Sequence, residues 1–224
     1  QIVDNVYWND NKLKSSIPLG DIRYFIDHFT EITEIFNTEN KMILSDGMGS
    51  GENANRESEE VVELLEQMME TGIQEKTAIQ LLNSIYALWS DSRSFSTIDL
   101  GILDLYRGSG NFIKLGAATS FIKKKERIER IEAGSLPVGM FQKIEAENRS
   151  FEVEDGDFVI MVTDGILDSF CADEKEACLE LILSEIKSNN PQEIADKILE
   201  KVLEIAEKSR EDDMTVLVAG IWEK

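Results

Sequence analysis

The sequence predicts an α+β fold: antiparallel sheets packed as a sandwich, flanked by pairs of antiparallel helices in a four-layer αββα arrangement. Three observations lead there. Apolar residues recur at helical spacing in two separate pairs of segments. Between those pairs, from Phe95 to Ile131, the period drops to two. Strands and helices also fail to alternate one for one, which disfavours a parallel, doubly wound sheet. With 224 residues, 42% of them hydrophobic, one sizeable core is within reach.

Residues 1–40 read as a separate N-terminal segment, and 41–224 as the main domain. In "DIRYFIDHFTEITEIF" the apolar residues Ile22, Phe25, Ile26, Phe29, Ile32, Ile35 and Phe36 follow helical spacing, with Asp21 as a cap. A polar turn, "NTENK", precedes a first strand at Met42–Ser45. The next helix presents Val61, Leu64, Leu65, Met68 and Met69 on one face and stops at Gly72. A second helix presents Ala78, Leu81, Leu82, Ile85, Leu88 and Trp89. The short "TGIQ" between them makes the two helices antiparallel neighbours. A meander follows, with strands near 96–106, 111–116, 119–123 and 127–132. Its hairpin turns are "RGSGN" and "KKKE", and the run Lys123–Lys125 reads as a solvated turn. Then come a turn at "EDGD", an apolar strand Phe158–Thr163, helices near 173–188 and 192–208, and a buried-type strand Thr215–Ile221.

Lys and Arg number 23 and Asp and Glu 44, a formal charge of −21. Such a chain repels nucleic acid and anionic bilayers, which bind through cations. Cys171 and Cys178 match no zinc spacing, and His28 is the only histidine. The cysteines read as free thiols of a reducing, cytoplasmic setting. No apolar run reaches about 18 residues, the length of a spanning helix. The polar start "QIVDNVYWND" is not a signal peptide. The missing initiator Met suggests a fragment, so a membrane-anchored parent stays open.

Three places share one design. Asp46-Gly47 follows a strand in "LSDGMGSG", Asp164-Gly165 follows another, and Asp212-Asp213 precedes a third. Singly, each aspartate reads as a turn residue or cap. Together, two of them in (Ser/Thr)-Asp-Gly, they suggest carboxylates gathered at strand ends. Converging carboxylates must protonate or hold cations. Oxygen donors without Cys or His select hard ions: Mg²⁺, Mn²⁺ or Ca²⁺. Glycine after the aspartate lets its backbone carbonyl turn in as a further oxygen ligand. No Gly-Lys-(Ser/Thr) follows, so this is not a phosphate-binding P-loop. The glycine spacing and strand order exclude a dinucleotide fingerprint. Met48 and Ser50 stand where an EF-hand needs acids.

The runs "ILSDGMGSG", "STIDLGILDLYRGSGNFIKLGAATSFIKK", "SLPVGM", "GDFVIMVTDGILD" and "DDMTVLVAGI" resemble, in order from about Lys41 onward, the bacterial branch of the metal-dependent protein serine/threonine phosphatases, the PPM family. That resemblance implies the sandwich fold and two Mn²⁺ or Mg²⁺ ions at one end of it. Asp46 would bridge both ions and the Gly47 carbonyl would bind one. Asp164 and Asp212 would complete the set, with Asp213 as second choice to Asp212. Asp168 would cap the following helix, in preference to serving a further, weaker metal position. Asp46 and Asp164 carry catalysis in this reading: water bridging the ions is deprotonated and attacks phosphorus in line. The substrate implied is phosphoserine or phosphothreonine on a small regulatory protein of the anti-sigma-factor-antagonist type, and a homodimer is compatible with it. The helices at 53–71 and 75–90 match a pair that couples the metal site of a sporulation relative to an upstream regulatory region. The family's early Asp-bearing strand has only "LGDIRYF" as a counterpart, with Asp21 far from Asp46 in sequence. Residues 1–40 thus hold a rearranged first strand, or a regulatory helix and linker. The competing function is a catalytically weak or inactive PPM-like binding module.

Overall fold

A computed structural model describes residues 23–27, 32–36, 41–47, 52–88, 95–132, 134–141, 144, 146–170, 174–205 and 213–222. The chain divides into two compact units, each built on one five-stranded sheet. The α+β class with antiparallel sheets is as the sequence predicts.

The first unit holds β1 (Arg23–Asp27), β6 (Ser120–Lys123), β7 (Ile128–Ile131), β9 (Phe158–Val162) and β10 (Val216–Gly220), in the order β1-β10-β9-β6-β7. It also holds α3 (Asp164–Asp168), α4 (Lys175–Glu185) and α5 (Pro191–Ile205). All ten residues of β9 and β10 are buried, so these strands are continuous apolar runs rather than alternating ones. The helix α5 lies along β1 and β10. It buries Ile194, Ala195, Ile198 and Val202, spaced at one face of a helix.

The second unit holds β2 (Ile32–Phe36), β3 (Lys41–Ser45), β4 (Ile98–Asp104), β5 (Ser109–Leu115) and β8 (Glu147–Glu152), in the order β2-β3-β4-β5-β8. Helices α1 (Glu52–Glu70) and α2 (Glu75–Leu88) complete it. Gly72, at φ 85°, ends α1. Its N–H donates to the Met69 carbonyl at 3.0 Å, and the Ile73 N–H donates to that of Met68 at 3.2 Å. This paired closure needs a left-handed residue, which glycine supplies without strain. Val61, Val62, Leu65, Ile79 and Leu82 from the two helices pack with Ile43, Ile98, Leu100 and Leu115 of the sheet. Each such burial contributes about 1.5–3 kcal/mol. Across β4 and β5, Asp99 and Lys114 are direct partners and form a buried ion pair.

Several expectations need correction. The helix expected over Ile22–Phe36 is instead β1 and β2, paired antiparallel with β10 and β3. "RYFID" and "ITEIF" are rich in β-branched and aromatic residues, and available partner edges override a short helical period. Asp21 and His28 lie outside the described residues. The expected meander is split between sheets: β4 and β5 pair in the second unit, whereas β6 and β7 pair in the first and β6 also takes β9. A hairpin period reports local alternation and not which sheet receives it. The buried face of α2 is Ala78, Ile79, Leu82, Asn83 and Tyr86. Leu81 and Leu88 are exposed, because Asn83 is drawn inward by hydrogen bonds to the Gly139 N–H and the Phe141 carbonyl, both 2.9 Å. Trp89 lies outside the described residues.

Tyr86 is buried, and its hydroxyl has no hydrogen-bond partner among the described residues. Burial, then the charges of Glu60 and Glu57, push its pKa from 10.0 to about 12. Above pH 10 the unfolded chain releases this proton while the native one keeps it. Stability therefore falls by about 2–3 kcal/mol as pH rises from about 10 to about 12. Tyr86→Phe abolishes that decline and raises stability at pH 7 by about 1 kcal/mol; urea melts at both pH values, alongside tyrosinate absorbance, measure this.

Candidate metal centre

The sequence places an aspartate after each of two strands, and the structure shows what holds each one. In the second unit, β3 ends at Ser45. The Ser45 hydroxyl donates to the Thr97 carbonyl at 2.8 Å and lies 3.1 Å from the Ser96 hydroxyl. The Ser96 hydroxyl and the Thr97 N–H both donate to the Asp46 carbonyl, at 2.9 and 2.8 Å. The Asp46 N–H donates to the Thr97 hydroxyl at 2.9 Å. Both backbone groups of Asp46 are thus fixed to the residues that lead into β4. Its side chain is half-buried.

Gly47 is buried and forms an isolated bridge with Ser96. It is absent from the glycines of positive φ. Its requirement is space: a Cβ there would sit 2.1 Å from the Ala54 carbonyl of α1. The glycine lets the first turn of α1 close onto the end of β3. Ser96 also pairs with Val138, in the loop that Asn83 holds from α2. A chain of hydrogen bonds therefore runs from α2 through Gly139 and Val138 to Ser96 and the Asp46 backbone.

The first unit repeats the device. Thr163 follows β9, and its hydroxyl accepts from the Thr215 N–H at 3.0 Å. It also reaches the Asp213 carbonyl at 3.4 Å, while the Thr163 N–H donates to the Thr215 carbonyl at 3.2 Å. Since β9 and β10 are antiparallel neighbours, the end of one and the start of the other lie side by side. Asp164 and Asp213 are brought to the same end of this sheet, both exposed. Asp212 lies outside the described residues. Asp164 opens α3, a short helix that the sequence did not suggest. Asp168 caps nothing: it closes α3 and accepts from Lys175 Nζ at 2.6 Å, and the N-cap of α4 is Glu174. That hydrogen bond and charge, followed by the charges of Glu176 and Asp164, raise the Lys175 pKa above the ordinary lysine value.

Within neither unit do the described residues gather three or more carboxylate, His or Cys side chains. The donors that stand at the strand ends, Asp46 with Gly47 in one unit and Asp164 with Asp213 in the other, are all oxygen. That set fits a hard divalent ion and no soft one. Cys178, half-buried on α4, is a free thiol. The hydroxyls of Ser45, Ser96, Thr97 and Thr163 escaped the sequence reading. The signal was present as the Ser or Thr before each Asp-Gly, but nothing local names the strand it would bond.

The model of the stage II sporulation protein E family, SpoIIE, matches residues 39–222. The chain belongs to this family. It is 39% identical over 181 residues to the stage II sporulation protein E of Priestia megaterium. That match covers 80% of the chain but 31% of the relative, so the chain spans about a third of its length. The solved PP2C phosphatase domain of SpoIIE from Bacillus subtilis, with a fragment of its regulatory domain, matches at 33% identity and a TM-score of 0.82, over 91% of this chain and 64% of that one. A second structure of the B. subtilis SpoIIE phosphatase domain, presoaked with Mn, matches at 29% identity and a TM-score of 0.55, over 92% of this chain and 89% of that one. The PPM resemblance read from the motifs therefore holds at the level of family. Among the described residues no helix is long and apolar enough to cross a membrane.

Two substitutions test the scaffold. Gly47→Ala drives a methyl group into the Ala54 carbonyl and costs about 3 kcal/mol. Thr163→Val leaves the buried Thr215 N–H unpaired and costs about 1–3 kcal/mol. Denaturant melts give both values, and Thr163→Ser recovers most of the second.

Proposed function

We propose that the chain is a metal-dependent protein serine/threonine phosphatase domain, acting on phosphoserine or phosphothreonine of a small regulatory protein of the anti-sigma-factor-antagonist type. The observation that carries this reading is the shared placement of Asp46 and Asp164, each after a strand whose last hydroxyl-bearing residue is tied to the neighbouring strand, in a chain of the SpoIIE family. An N-terminal segment 1–40 leading into a phosphatase domain 41–224 belongs to the same reading: the family match begins at residue 39, and β1 and β2, paired with β10 and β3, favour a rearranged first strand over a regulatory helix and linker.

Asp46, the Gly47 carbonyl, Asp164 and Asp212, with Asp213 as second choice, would hold two Mn²⁺ or Mg²⁺ ions. When bound, such ions supply an acidified water and neutralise phosphoryl oxygens. The chain's own contribution is positioning. Ser45, Ser96 and Thr97 hold the Asp46 backbone still, so the carboxylate is presented from a fixed point and only its side-chain rotamer remains to be set on binding. Thr163 does the same where Asp164 and Asp213 diverge from their strands. No nucleophilic side chain is required, in keeping with direct hydrolysis by water. The site serves a cytoplasmic signalling partner, and a homodimer is compatible with it.

Phosphate release from a phosphoserine protein, with and without millimolar Mn²⁺, tests the reading. Turnover appears only with metal, and Asp164→Asn or Asp46→Ala lowers it at least about a hundredfold, since several kcal/mol of transition-state stabilisation depend on the ions. Calorimetric titration with Mn²⁺ gives a second readout, with weakened binding in both variants. Metal binding without turnover under any ion would favour the binding-module reading instead.

A further inference from the structure

In the first unit the β6–β7 hairpin and α4 enclose an open cleft of about 610 Å³. Lys123, Lys124, Lys125 and Arg127 line it from the hairpin, and Lys187 from just beyond α4. Against these five cations stand two lining carboxylates, Glu126 and Glu180. Glu180 is already taken, since Arg130 grips both its oxygens at 2.6 and 2.7 Å. The solvated turn expected at Lys123–Lys125 holds only for Lys125. Lys123 is half-buried and donates to the Leu183 carbonyl at 2.6 Å. Lys124 donates to the Glu152 carbonyl at 2.8 Å and lies 3.5 Å from Asp157. Arg127 donates to Glu129 at 2.7 Å, and Lys187 to the Ser184 carbonyl at 2.9 Å. Burial first, and repulsion from Lys187 second, hold the Lys123 ammonium below the usual lysine range. Lys125 is exposed and makes no ion pair among the described residues. Ile128 and Ala177 give the cleft apolar surface, and Leu181 adds a side chain that is 63% exposed.

This local field opposes that of the chain, where acids outnumber bases 44 to 23. We propose that the cleft is a docking site for an acidic peptide segment of a partner protein. Carboxylates of that segment lie against Lys125 and Lys187 and against the guanidinium donors of Arg127 that Glu129 does not take, and one apolar side chain rests on Leu181. A polyanionic duplex or bilayer presents charge over an area wider than the cleft, and would meet the acidic remainder of the chain. A short extended segment meets only the basic cleft. Lys123 pairs with Phe158 at the start of β9, whereas Asp164 follows the end of that strand. The cleft therefore lies at the far end of the sheet from Asp164 and Asp213. Its role is to hold a partner, not the reacting phosphate, and it stands whether or not the chain hydrolyses phosphate.

The test is fluorescence anisotropy of the whole chain with a labelled peptide, Asp-Glu-Glu-Leu-Glu-Asp-Glu, against the same peptide with Ser and Gln in place of its acids. The acidic peptide binds and the neutral one does not, and added salt weakens binding. The double substitution Lys125→Glu, Arg127→Glu weakens it about tenfold or more, as does Leu181→Asp, while Asp164→Asn leaves it unchanged. Each altered side chain is exposed, and thermal melts report that the variants stay folded; should one melt early, Lys125→Gln with Leu181→Ser takes its place. Equal affinity for both peptides, or affinity that no cleft variant alters, overturns the proposal. So does full competition by inorganic phosphate, by a single-stranded oligonucleotide or by phosphatidylglycerol vesicles at lower concentration than the peptide.

Discussion

A hydroxyl group immediately before an aspartate organises both halves of this protein. A strand end has backbone groups that its ladder no longer satisfies, and buried ones are costly to leave unpaired. Ser45 meets that requirement by reaching Thr97 and Ser96, and Thr163 by reaching Thr215 and Asp213. In each case the side chain stitches its strand to the antiparallel neighbour one step beyond the last regular pair. The aspartate that follows leaves the sheet from a fixed point. Alanine at either position would keep the strand and lose that anchor.

The glycines of the two Asp-Gly pairs illustrate how one letter serves different needs. Gly47 sits where a helix carbonyl closes onto a strand end, and any side chain would collide with it. Gly165 lies buried within the five residues of α3. Neither is among the residues of positive φ. The sequence reading gave the glycine the task of turning its carbonyl toward a metal. The packing of α1 against β3 adds a second, independent reason for glycine at position 47.

Charge is distributed with similar economy. An excess of acid over the whole chain, 44 against 23, gives a field that opposes nucleic acid and anionic surfaces. It leaves the few clustered cations conspicuous. Most are occupied: Lys114 with Asp99 in the core, Lys41 with Glu75, Lys175 with Asp168 and Arg130 with Glu180. In the basic hairpin Arg127 is held by Glu129 and Lys124 lies by Asp157, and the cleft stands out because Lys125 and, from a different part of the sequence, Lys187 line it together.

The sequence by itself determined the α+β class, the ten-residue apolar content of β9 and β10, the α1–α2 hairpin with its Gly72 stop, and the aspartates at strand ends. These are legible because they depend on period, turn chemistry and local spacing, which a single chain carries in order. It did not determine that 23–27 and 32–36 are strands, that the central hairpins serve different sheets, that Asn83 turns the buried face of α2, or that Asp168 binds Lys175. The first three depend on partners distant in sequence: β10 for β1, β9 for the split of the hairpins, the Gly139–Phe141 turn for Asn83. Lys175 is only seven residues from Asp168, but residue type alone does not favour that pairing over a cap. The clamps of Ser45 and Thr163 belong with the first three. A hydroxyl looks the same in a list of residues whether it faces water or a neighbouring strand, and only tertiary structure chooses which backbone group it will bond.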